Sequence, residues 1–147
     1  MAVGIHIKKL RKSAQLPTYG TPSSAGADLY ADIEEDITVL PHQTVKIPTG
    51  LALELPEGFA GLIFARSSLG TKKGLAPANK VGVIDPDYRG EVLVMLHNHS
   101  NSAQTVSRGE RVAQLMIVPY LKVRFIEKET LSETSRGEGG FGSTGQL

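Results

Sequence analysis

The sequence predicts an all-β domain, a barrel or sandwich, on three observations. Apolar and β-branched runs recur roughly every ten residues. Sixteen glycines and eight prolines punctuate those runs. No window sustains the 3.6-residue apolar period of an amphipathic helix. At 147 residues the chain is one domain, long enough to bury roughly 70% of its unfolded surface.

The elements follow in order. Residues 5–12 alternate apolar and polar side chains until Leu16-Pro17-Thr18, which predicts a first strand. Pro22, Ser23 and Ser24 make a loop. The short-chained run Ala25-Gly26-Ala27-Asp28-Leu29-Tyr30-Ala31 follows, open to close backbone approach, with Asp28 its single charge. Residues 37–40 and 45–47 read as strands flanking the turn Pro41-His42-Gln43. Residues 51–55 alternate strictly, as a half-buried strand does, and Pro56-Glu57-Gly58 turns the chain. The apolar run 61–65 leads into Arg66-Ser67-Ser68-Leu69-Gly70, read as a turn. Strand signals return at 92–96, 112–118 and 122–126, with a turn at 97–102. From Leu131 the composition becomes polar and glycine-rich. Residues 131–147 bury little of their own and are expected to form a mobile arm beside a 1–130 domain.

Sixteen basic and fifteen acidic residues leave a net charge of +1. No global field exists to gather nucleic acid or an anionic membrane, so any anion site is local. Cysteine is absent, which removes disulfide scaffolds and thiolate metal sites. No apolar run approaches the ~20 residues that span a bilayer, and the N-terminal residues lack a signal-peptide pattern. A soluble, cytoplasmic protein with no nucleic-acid or membrane partner is expected.

The chain is organised around residues 82–91, Gly-Val-Ile-Asp-Pro-Asp-Tyr-Arg-Gly-Glu. Apolar β-branched residues precede it and an apolar run follows, which predicts a β-hairpin. Pro86 presets its own φ and pushes Asp85 away from helical angles. The tip therefore presents the Asp85 carboxylate, the Tyr88 ring and strand-end backbone together. Asp-Pro-Asp is also ordinary turn chemistry.

Other segments carry candidate chemistry. Arg66-Ser67-Ser68 after a strand offers a guanidinium with hydroxyl and amide donors, as a phosphate clip would, and equally suits a solvated turn. Asp28 is a candidate to support a magnesium ion through water, because Mg²⁺ keeps most of its hydration. His97 and His99 share one face of a strand end; a transition-metal site would need a third ligand. Residues 108–111, Arg-Gly-Glu-Arg, read as a turn with solvated charges, and Gln114 beyond them can aim a neutral amide at an anion. Residues 137–142 fit G-x-G-x-x-G, but no helix follows, which excludes a dinucleotide fold. The tail instead supplies backbone N–H groups, Ser143 and Thr144 hydroxyls and Arg136, able to wrap a polyphosphate, and Phe141, able to stack on a base. It also fits a disordered glycine-rich tail.

Five segments in order, 25–29, 65–70, 82–91, 109–115 and 136–145, resemble the five motifs of the trimeric deoxyuridine triphosphatases (dUTPases). The resemblance covers nearly the whole chain. It implies a jelly-roll-like β-barrel in a homotrimer, each active site shared by three subunits and closed by an exchanged C-terminal arm. It also implies hydrolysis of dUTP to dUMP and pyrophosphate with Mg²⁺, limiting uracil in DNA and supplying dUMP for thymidylate synthesis. By similarity, Asp85 is the general base orienting water for in-line attack on the α-phosphorus. Asn79, Gly82, Val83 and Ile84 line the uracil site through backbone groups, with Leu93 as a further wall. Tyr88 lies against the deoxyribose where a 2′-hydroxyl would need room. Arg66, Ser67, Ser68 and Gln114 hold phosphates, and Asp28 supports the hydrated magnesium. Arg136, Gly142 and Ser143 close on the triphosphate while Phe141 stacks over uracil. Ser68 departs from the family pattern, where many members carry glycine. The rival readings are a dCTP deaminase, which shares an Arg-Ser-Ser segment, and a nucleotide-sensing module without turnover.

Overall fold

The computed structural model describes residues 4–140. The strands are β1 (His6–Lys9), β2 (Thr18–Tyr19), β3 (Ala27–Tyr30), β4 (Ile37–Val39), β5 (Thr44–Glu54) and β6 (Phe59–Phe64). After helix α1 (Ser67–Lys73) come β7 (Leu75–Pro77), β8 (Gly82–Ile84), β9 (Glu91–Asn98), β10 (Gln104–Val106) and β11 (Arg111–Pro119). They form a four-stranded sheet in the order β1-β5-β9-β7, a five-stranded sheet β2-β3-β11-β6-β8, and a β10-β4 ribbon. The result is the all-β, jelly-roll-like barrel the sequence predicts, with one short helix. No helix among the described residues is long and apolar enough to cross a membrane.

Alternation builds the core. In β9, Val92, Val94 and Leu96 are buried while Leu93 and Met95 between them are exposed. The inward set meets Ile47, Leu51 and Leu53 of β5, Leu29 of β3, Ile63 of β6 and Val112 and Leu115 of β11 in one apolar cluster. Each such side chain contributes about 1.5–3 kcal/mol by leaving water.

Four expectations need correction. Residues 82–84 and 92–96 are not two arms of a hairpin. β8 pairs with β6, whereas β9 pairs with β5 and β7, so residues 85–90 carry the chain from one sheet to the other. Ile84 and Val92 reach the same core from facing sheets, which a flat hairpin cannot do. Residues 45–47 and 51–54 belong to one strand, β5, whose register against β9 shifts between Pro48 and Ala52. The turn expected at 66–70 is α1, which starts after Arg66 and ends at Gly74. Its one buried residue is Leu69, too few to leave a periodic signal. The alternating run at 122–126 forms no strand: Leu121, Val123, Phe125 and Ile126 are exposed. Alternation favours extended backbone, but a strand needs a hydrogen-bonding neighbour.

Candidate active site

The crossover from β8 to β9 is held by its own bonds. The Tyr88 N–H donates to the Asp85 carbonyl at 3.2 Å. The Tyr88 hydroxyl donates to the Glu91 carbonyl at 2.9 Å, and Arg89 Nη1 donates to the Pro86 carbonyl at 2.6 Å. This fixes where Asp85 and Tyr88 stand. A cavity of about 230 Å³ opens beside them, lined by Asn79, Gly82, Val83, Ile84, Asp85, Tyr88 and Leu93 among others. β8 is an outer strand of its sheet, so its free edge leaves backbone donors and acceptors to face a ligand. Asp85 and Val83 also border a groove of about 850 Å³. Among the described residues no side chain is bonded to the Asp85 carboxylate, which leaves its oxygens free as hydrogen-bond acceptors.

A second cavity of about 690 Å³ gathers residues from segments 20–28, 64–67 and 111–116, together with Lys80. Register explains the gathering. Asp28 of β3 pairs with Gln114 of β11, and Gln114 pairs with Phe64 of β6; one row across three strands thus brings residues 28, 114 and 64–66 together. Asp28 is only 8% exposed, and it sits there because two guanidinium groups compensate it. Arg66 Nε donates to its Oδ1 at 2.6 Å and Arg111 Nη1 to its Oδ2 at 3.3 Å. Gln114 Nε2 donates to the Ala65 carbonyl at 2.8 Å. Gly26 makes that arrangement possible, since a β-carbon there would meet the Gln114 amide.

The sequence-predicted residues therefore fall into two groups. Asp85, Asn79, Gly82, Val83, Ile84, Tyr88 and Leu93 share the first cavity; Asp28, Arg66, Ser67 and Gln114 share the second. Ser68 lines neither. It borders an adjoining hollow with Lys72 and Lys73, and its hydroxyl accepts a bond from Arg66 Nη1 at 3.2 Å. Arg136 is exposed and its Nε donates to the Gly139 carbonyl at 2.8 Å. Phe141, Gly142 and Ser143 lie outside the described residues.

Arg111 was missed by sequence reasoning. Three residues before Gln114, it belongs on the opposite face of an ideal strand. The register of β11 against β3 shifts between Arg111 and Ala113, and that extra residue returns Arg111 to the cavity face. Arg11 is another residue with no local signal. Its guanidinium bonds Asp32 at 2.6 Å and also Glu91, and Glu91 accepts the Gly50 N–H at 2.7 Å. The start of β9 is thus tied to the barrel. The bond from Arg11 pulls the Glu91 carboxyl below its ordinary value; burial opposes this and the Gly50 N–H assists it. Burial pushes Asp32 up, but bonds from Ser13 and Arg11 outweigh it and hold this carboxyl low as well. Burial, His97 and Lys80 lower the His99 imidazole.

No group of three His, Cys, Asp or Glu side chains among the described residues could hold a metal. Both Asp28 oxygens already accept guanidinium bonds. Asp28 would therefore meet a hydrated ion through water and not by direct ligation.

The dUTPase family matches residues 12–145. The deoxyuridine 5′-triphosphate nucleotidohydrolase of Desulfitobacterium hafniense is 51% identical over 135 residues, spanning 91% of this chain and 89% of that protein. The protein of the same name from Hydrogenobaculum sp. is 47% identical over 139 residues, spanning 95% and 96%. Among solved structures, the dUTPase of Staphylococcus bacteriophage 80alpha with dUPNHPP has a TM-score of 0.85 at 27% identity, covering 99% of this chain and 100% of that one. Match, identity and shared fold agree across almost the whole length: this chain belongs to the dUTPase family.

Proposed function

We propose that this protein hydrolyses dUTP to dUMP and pyrophosphate by in-line attack of water on the α-phosphorus, with Asp85 as the general base. The observation that carries the reading is the division of labour between the cavities. One offers a carboxylate with no side-chain partner among the described residues, beside a tyrosine and an open strand edge; the other offers Arg66, Arg111 and Lys80 around Asp28. The first suits a nucleoside and the second a polyphosphate. The dUTPase of bacteriophage 80alpha with dUPNHPP supports the choice of ligand.

Fixed backbone groups of residues 82–84 and Asn79 discriminate by polarity. Uracil and cytosine present opposite donor–acceptor patterns at N3 and position 4, so a site shaped for one leaves unpaired dipoles with the other. Leu93 and the Tyr88 ring wall the site, the latter where a ribose 2′-hydroxyl would stand. A triphosphate carries about four negative charges, and the chemistry is mostly positioning and charge stabilisation. Arg66, Ser67 and Gln114 supply that charge and those donors, with Ser68 orienting Arg66. When bound, Mg²⁺ would add further charge neutralisation, held by the phosphates and by water contacting Asp28.

The resemblance to the trimeric dUTPases supports a site completed by a second copy, whose 82–91 segment faces the phosphate cavity of the first. A homotrimer satisfies this for all copies. Residues 131–147 act as the arm of a third copy, with Arg136, Gly142 and Ser143 on the phosphates and Phe141 on uracil, over the 1–130 barrel.

The test supplies dUTP, dCTP, dTTP and UTP with Mg²⁺ and identifies the products. Pyrophosphate and dUMP from dUTP alone are expected, and Asp85→Asn should lower kcat by about 10²–10⁴. Ammonia released from dCTP, or an Asp85→Asn enzyme as fast as the parent, would refute the assignment.

A further inference from the structure

Lys80 sits in the turn between β7 and β8 with a φ of +65°, one of two non-glycine residues among those described in the left-handed region. Lysine rarely adopts this conformation, which glycine and asparagine tolerate far better. The turn is tight: the Lys80 N–H donates to the Pro77 carbonyl at 3.0 Å and the Val81 N–H to the Asn79 carbonyl at 2.7 Å. Backbone geometry alone therefore favours a different residue here.

Its surroundings give the side chain a use. β8 pairs with β6 as Gly61↔Ile84, Leu62↔Val83 and Ile63↔Gly82. Lys80 lies two residues before the start of β8, on the side of the paired strand β6 whose end runs into Arg66. Lys80 accordingly lines the cavity of Asp28, Arg66, Arg111 and Gln114. Adjacent residues of one turn thus serve two cavities, Asn79 the first and Lys80 the second. Asp28 already bonds both arginines, and among the described residues no carboxylate is bonded to Lys80. Its charge is available to an incoming anion.

We infer that Lys80 is a further substrate-binding residue, an ammonium that attracts and holds the polyphosphate of the nucleotide, retained at a position whose backbone disfavours lysine. This rests on the reading of the chain as a dUTP-binding enzyme. The prediction is a separation of binding from stability. Asparagine or glycine at this position relaxes the turn while removing the charge.

The experiment titrates the full-length parent, Lys80→Asn, Lys80→Gly and Lys80→Arg with the α,β-imido analogue of dUTP and with deoxyuridine, and records Tm for each. Lys80→Asn and Lys80→Gly should weaken the analogue about two- to fivefold, leave deoxyuridine unchanged, and keep or raise Tm. Lys80→Arg should retain affinity, and the parent's stronger salt dependence should be reduced in the neutral variants. Unchanged analogue binding, equal loss for both ligands, or a lowered Tm in both neutral variants would overturn the inference. Should the parent bind neither uracil compound, inorganic triphosphate is the probe: dependence on Lys80 then supports this site while the dUTP reading fails, and independence overturns both.

Discussion

The Tyr88 ring packs against Gly90 so closely that a β-carbon at Gly90 would stand 2.6 Å from Tyr88 Cζ. The ring lies where it does because position 90 carries no side chain. Gly90→Ala must therefore lift the ring or distort the crossover, at a cost of about 1–3 kcal/mol. If the ring excludes the ribose 2′-hydroxyl, this variant should turn over UTP better relative to dUTP than the parent does, as should Tyr88→Ala. Competition kinetics with the two nucleotides checks this. Tyr88→Phe loses only the bond to the Glu91 carbonyl and should keep the selectivity.

Asp28 aims two arginines. Asp28→Asn keeps the shape but weakens both charge-assisted bonds, so Arg66 and Arg111 lose their fixed directions. Bonds of this kind contribute about 1.5–3 kcal/mol, which corresponds to roughly a 10- to 150-fold loss in kcat/KM for dUTP. Steady-state kinetics checks the prediction, and calorimetry of the same variant should also show a lowered Tm, because Asp28 is buried between its two arginines.

The Arg11 network makes stability depend on acid pH. Glu91 and Asp32 both have folded-state pKa values below their ordinary ones. Their contribution is therefore fully present above the ordinary carboxylate range, about pH 4, and is lost as pH falls through the folded-state values. Arg11→Met should flatten that acid limb. At neutral pH it should cost about 1–3 kcal/mol, toward the low end because the Arg11 side chain is 42% exposed to screening solvent. Denaturant melts of parent and variant between pH 3 and about 7 measure both effects.

Deletion after Ser135 removes Arg136 and the glycine-rich run but leaves every strand of the described residues intact, since β11 ends at Pro119. The truncated protein should remain folded with the Tm of the parent, while kcat falls by about 10²–10³, the scale of lost transition-state donors. Turnover at the parental rate would show the segment to be a plain tail.

The fold class was legible because turn residues and β-branched runs are local signals. What the sequence concealed was partnership. The alternation around Ile84 and Val92 tells which side chains are buried, yet nothing local says that β8 joins β6 while β9 joins β5 and β7. Residues 82–91 thus read as a hairpin although they bridge two sheets. The same limit applies to 122–126, whose pattern was right for extended backbone and silent on a neighbour. The candidate site was legible where its residues fall in short segments: Asp85 and Tyr88 line one cavity, Asp28 and Arg66 the other. The place of Arg111 at the second cavity was not legible, because a register shift turns it inward, nor was that of Lys80, which lies in a turn with an unusual backbone angle.

The most direct measurement of the central claim is hydrolysis of dUTP in ¹⁸O-labelled water, followed by mass spectrometry of both products. Water primed by Asp85 and delivered to the α-phosphorus places the label in dUMP and none in pyrophosphate. Label in pyrophosphate would mean attack at the β-phosphorus, and the role given to Asp85 and to the crossover that holds it would be wrong.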